Sequence, residues 1–133
     1  MIVVEITGAG EFLRGLNRLG DLMDRVETES ETFAADTTVS GARPTVPVIS
    51  GDAAGSLRTE DYSDGKAAVG GSSAVLYYGW LEFGGDAGRG HSVHRDEVPD
   101  GRYLHPAYME AFDKIERKMA DSLEDAIRDA GLK

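Results

Sequence analysis

Three features of this sequence predict an α+β fold. Apolar residues recur at steps of four and three over two long stretches, strand-like runs flank an Asp-Gly turn, and glycine- and proline-rich segments separate the two patterns. Two long amphipathic helices packed on a small, mainly antiparallel sheet, with long projecting loops, would bury both stripes. The 133 residues suffice for one domain spanning 1–133 and are too few for two independent cores.

Ile2-Val3-Val4-Glu5-Ile6 is short and β-branched, and Thr7-Gly8-Ala9-Gly10 punctuates it, which predicts a first strand and a turn. From about Glu11, the residues Phe12, Leu16, Leu19, Met23 and Val26, with Phe33 beyond, define one face of a long helix. Gly15 and Gly20 each weaken that helix by roughly 1 kcal/mol, so a packed partner must compensate. The helix should end near Val39-Ser40-Gly41, because Pro44 and Pro47 follow. A first loop, about 42–55, then mixes proline-fixed backbone with small residues. Its apolar Val46, Val48 and Ile49 suggest partial docking.

Ser56 to Tyr62 and Lys66 to Gly70 flank Ser63-Asp64-Gly65, a hairpin signal. Ala74 to Phe83 is apolar and aromatic, and reads as a segment that starts helical or irregular and ends extended. As a strand it would send Tyr78, Trp80 and Glu82 to one face. A second loop, about 84–101, is rich in glycine and charge and is expected to be mobile in an isolated subunit. Pro106 then opens a last helix with Tyr108, Phe112, Ile115, Met119, Leu123 and Ile127 on one stripe, and Gly131 is placed to end it.

Composition removes several function classes. Lys and Arg number 14 against 24 Asp and Glu, a formal net charge of -10 that opposes binding to phosphate backbones. The absence of cysteine excludes disulfides, thiolate nucleophiles and cysteine-ligated zinc. The N-terminus carries no basic leader and no segment approaches the apolar length that spans a bilayer, so the chain reads as soluble and unexported, with no membrane partner.

Four candidate sites compete with plainer readings. His91-x-x-His94, with Asp96, Glu97 and His105 nearby, has metal-ligand residue types, but this spacing aligns two imidazoles only on a helix. Gly88, Gly90 and Pro99 oppose a helix there, so solvated loop histidines are the better reading and no metal is expected. Gly8-x-Gly10 has the first part of a dinucleotide fingerprint, yet Leu13 stands where the third glycine belongs, leaving a turn and no cofactor. No serine has nucleophile-elbow spacing and no histidine is tied to one, so no catalytic residue is assigned. Glu82 is the one carboxylate set among aromatics. It could pair locally with a backbone amide or an arginine, or across a subunit boundary.

Three motifs occur in order: Pro47-Val48-Ile49-Ser50-Gly51 with Ser56-Leu57 after a small insertion, then Tyr78-Gly79-Trp80-Leu81-Glu82-Phe83-Gly84, then Arg102-Tyr103-Leu104-His105-Pro106-Ala107. In this order they resemble the tail-component family of siphophages typified by gene product ten of phage HK-ninety-seven. Tyr103 stands where that family usually has phenylalanine, and Asp52-Ala53-Ala54 is extra. The resemblance implies a structural virion protein of the neck or tail region, assembled in the host cytoplasm. It would form a homo-oligomeric ring, six-fold, that joins head-completion and tail proteins while DNA passes through its lumen without sequence-specific binding. Pro47, Gly51, Leu57, Tyr78, Trp80, Glu82, Phe83, Gly84, Tyr103, Leu104 and Pro106 are the assembly residues it implies. A tail terminator capping the tail tube is an alternative within phage biology, and a small acidic protein-interaction module is the alternative outside it.

Overall fold

The computed structural model describes residues 8–48, 50–63 and 65–132. Its elements run α1 (Ala9–Ala42), a 3-10 turn (Arg43–Thr45), α2 (Asp52–Gly55), β1 (Arg58–Tyr62), β2 (Gly65–Val69), α3 (Tyr78–Phe83), β3 (Gly85–Ala87), a second 3-10 turn (Arg89–His91), β4 (Val93–Arg95) and α4 (Leu104–Asp129). The α+β class is as expected, with two long helices, and among the described residues the antiparallel pairing is divided into two separate hairpins, β1–β2 and β3–β4. The strand expected at Ile2–Ile6 lies outside the described residues.

Gly8 takes φ 84, the left-handed value that glycine adopts without a Cβ penalty, and α1 begins immediately after it. The helix continues about 50 Å at 1.5 Å per residue and ends at Ala42, where the Pro44-containing 3-10 turn tightens the chain. Thr45 Oγ1 donates to the Ala42 carbonyl at 2.6 Å, and the Arg43 guanidinium donates to the Leu57 carbonyl at 2.8 Å. These bonds take up carbonyls at the end of the helix and beyond it.

α4 runs back along α1: Gly15 lies beside Ala130 and Leu132, and Gly41 lies beside Ala107. A Cβ on Gly15 would fall 2.5 Å from Leu132 Cδ2, so this glycine permits the approach that offsets its low helix propensity. Gly20 has nothing within 4 Å among the described residues. Arg18 donates through Nε and Nη2 to the Ala130 carbonyl at 3.1 and 2.6 Å, capping the end of α4 with positive charge.

The two apolar stripes enter the seam only in part, at Val26 and Ile115, with Met23, Met119 and Leu123 along a groove between the helices. Of Phe12, Leu16, Leu19, Met23, Val26 and Phe33 only Val26 is buried, and of the six large α4 positions only Ile115 is. The other buried positions are mostly small: Gly15, Ser30, Ala35, Thr38 and Ala42 on α1, and Ala107, Ala111, Ser122 and Ala126 on α4. Small side chains let helix backbones approach closely. The large residues beside them are left facing outward, with Phe12 57% and Met119 51% exposed.

β1 and β2 pair with Arg58 opposite Val69 and Tyr62 opposite Gly65, the hairpin the Asp-Gly signal predicts. Its tip sits against α1, where a Cβ on Gly65 would collide with the Glu31 carboxylate. The main core lies where this hairpin, α1 and the start of α4 meet. It is centred on Leu57, 1% exposed, with Val39, Val46, Val75, Tyr78 and Tyr103 around it. The first loop is therefore partly docked, through Val46 and through Ala53 and Ala54 of α2, while Val48 faces outward. Ile49 lies outside the described residues.

Two local expectations change. Tyr78–Phe83 is helical throughout, so Tyr78 and Glu82 share a face by the four-residue helical step and Trp80 does not join them. The 84–101 segment is not a bare loop, because β3 and β4 pair Gly85 with Arg95, Asp86 with His94 and Ala87 with Val93. Three-residue strands are too short to leave a periodic signal in sequence.

Candidate functional site

Helix α4 begins without a residue of its own that can cap it. Tyr103 occupies the N-cap position and makes no capping bond, so the first amides need an acceptor from elsewhere. Glu82, buried at 3% exposure on α3, supplies it. Its Oε2 accepts from the Tyr103 amide at 3.1 Å and its Oε1 from the Leu104 amide at 2.9 Å. A buried carboxylate survives because two amides and the positive end of a helix stabilise its charge. Of the pairings open to Glu82 from sequence, the one with backbone amides is present within the chain, to residues distant in sequence.

The surroundings hold this carboxylate in place. Tyr78, one turn earlier, donates its hydroxyl to Glu82 Oε2 at 3.3 Å. Burial first, and then the charge and hydrogen bond of Glu82, push the Tyr78 hydroxyl well above its ordinary value, so it remains a donor. Gly101, at φ 90, brings its backbone against the carboxylate, and a Cβ there would lie 2.6 Å from Oε1. Gly70 makes room for the Tyr78 ring in the same way.

A second set of contacts ties the β3–β4 hairpin to this junction. Arg95 donates to the Tyr103 hydroxyl at 2.6 Å and lies 5.6 Å from the Trp80 ring centroid, a cation–π distance. Trp80 Nε1 donates to the Gly85 carbonyl at 2.9 Å. Arg102 donates to the Asp96 carbonyl, and the Val98 amide donates to the Phe83 carbonyl at 2.8 Å. Gly84, at φ 83, turns the chain where any Cβ would strike the Asp96 carbonyl.

The three sequence motifs meet in space. Pro47 and Gly51 of the first line a 290 Å³ cavity with Trp80 and Leu81 of the second and the preceding Tyr77, and Glu82 of the second holds Tyr103 and Leu104 of the third. Leu57, Tyr78, Glu82 and Tyr103 are buried within the subunit, Gly51, Trp80, Gly84 and Leu104 are half-buried, and Pro47, Phe83 and Pro106 are exposed. Pro106 sits in the first turn of α4, where its missing amide costs nothing. Arg95, Gly70 and Gly101 belong to the junction although no sequence signal singled them out. Only the Asp100-Gly101 turn before a helix could have pointed to one of them.

Among the described residues no group of three or more His, Cys, Asp or Glu is placed to hold a metal ion. His94 instead joins β3 to β4 through Nδ1 and Asp86 Oδ1, 2.7 Å apart, with Asp96 at 3.4 Å from Nε2. The hydrogen bond to Asp86 is the main cause that raises its pKa above 6.5. No described helix is long and apolar enough to cross a membrane.

Fold and junction together define a helix-rich α+β chain in which a buried glutamate of α3 caps the start of α4. Comparison with family models, curated proteins and solved structures returns no match for this chain.

Proposed function

We propose that this chain is a structural virion protein of a tailed phage that assembles as a ring at the head-tail junction, joining capsid and tail around the passing DNA. The observation that carries the assembly part is the outward placement of large apolar side chains on both long helices. Phe12, Leu13, Leu16 and Met23 on α1, and Met109, Phe112, Met119 and Leu123 on α4, are all exposed in the single subunit. Of these, Met23, Met119 and Leu123 line one groove between the helices, and exposed apolar side chains clustered in this way favour a protein interface. The virion location comes from the order of the three motifs, whose convergence on one junction supports treating them as a unit.

The net charge of -10 suits a lumen through which DNA slides without being held. The test is to image purified virions and to measure the mass of the full chain with its head and tail partners. A cyclic oligomer at the capsid-tail junction is the expected result. Absence of the chain from particles would remove the reading.

A further inference from the structure

A ring needs two different surfaces on each subunit, one that gives and one that receives, because only a head-to-tail contact repeats around a closed circle. Two such surfaces of opposite chemistry are present. The receiving one is a groove of about 500 Å³ between α1 and α4, with Val26 and Ile115 in its lining and Met23, Met119 and Leu123 at its exposed edges. The charged side chains lining it, Glu27 and Glu31, are both acidic.

The giving surface is the tip of the β3–β4 hairpin. Residues 87–95 contain no carboxylate and carry Arg89, His91, His94 and Arg95 within a chain of strongly acidic balance. His94 is engaged by Asp86 and Arg95 by Tyr103. Arg89, His91 and Val93 point outward, and Arg89 has no ion-pair partner among the described residues. His91 holds φ 54, the one left-handed non-glycine position among the described residues. Such a position carries a conformational cost.

We propose that the β3–β4 tip of one copy, carrying Arg89, His91 and Val93, docks into the acid-rimmed apolar groove between α1 and α4 of the next copy. This rests on the ring reading and names its subunit contact. Val93 meets the methionines, and Arg89 meets Glu27 or Glu31. Charge complementarity sets the register, and apolar burial supplies the affinity.

The chain has no cysteine, so a Val93→Cys, Met119→Cys double variant tests the contact directly. Oxidation of the full-length protein gives a ladder of covalent multimers on a non-reducing gel, whereas each single variant stops at dimers. Independently, Arg89→Glu and Glu27→Arg each weaken self-association on the order of tenfold, and combining them restores most of it. A closed oligomer by native mass measurement, with no ladder and no charge rescue, overturns this contact and leaves the ring intact. A ladder without a closed oligomer keeps the contact and removes the ring. A monomer in which the thiol introduced at position 119 resists alkylation means the groove is filled within the subunit, and overturns the proposal.

Discussion

The α3–α4 junction and the outer face of the helix pair use opposite solutions to the same problem of unsatisfied groups. At the junction most polar groups are met inside the chain: the Tyr103 and Leu104 amides find the Glu82 carboxylate, which also accepts from the Tyr78 hydroxyl, and Arg95 Nε is the buried junction atom left without a partner among the described residues. On the outer face, Phe12, Leu16, Met23, Met119 and Leu123 remain in solvent while the small residues beside them are packed. The first region stabilises the fold, and the second leaves apolar area exposed, which the proposed assembly would cover. Polar groups require partners at fixed geometry and so are satisfied locally. Apolar area is non-directional and can wait for assembly.

Substitutions should separate the two regions. Glu82→Ala removes two charge-assisted bonds and strands two amides, at a cost of about 3 kcal/mol. Phe12→Ser or Met119→Ser leaves subunit stability within about 0.5 kcal/mol. Urea unfolding of the dilute chain measures both, and equal losses would end the distinction. The glycines of α1 sharpen the contrast within one helix. Gly15→Ala meets Leu132 at the packed end and costs about 1–3 kcal/mol through overpacking, whereas Gly20→Ala meets nothing and gains close to 1 kcal/mol of helix propensity. Thermal unfolding should shift in opposite directions for the two variants.

The smallest effect belongs to the hairpin. Because the folded pKa of His94 is raised, its contact with Asp86 contributes fully below 6.5 and is lost as pH rises through the folded value. Asp86→Asn removes the leading cause and should return the His94 titration, followed by NMR, toward 6.5. An unchanged titration curve would mean that the exposed pair forms no lasting contact in solution.

Much of this architecture is readable from local pattern. The spacing of apolar residues locates both helices, since a 3.6-residue period is intrinsic to the backbone. The Asp64-Gly65 pair marks the first hairpin, and Pro44 marks the helix end. The second hairpin escapes because its strands are three residues long. Glu82 stands out in sequence as a carboxylate among aromatics, but its partners are Tyr103 and Leu104, more than twenty residues away. No local rule reaches them.

By itself the sequence determined the α+β class, the two long helices, the Asp-Gly hairpin and the set of three motifs, because backbone propensity and periodicity act over a few residues. Tertiary structure alone decided that small residues line the buried helix positions and the large apolar ones face outward. It also decided that a glutamate from α3 caps α4, where no nearby residue could. Periodicity reports which face of a helix is apolar, whereas what covers that face depends on how closely two backbones can approach, and that distance exists only once the chain has folded.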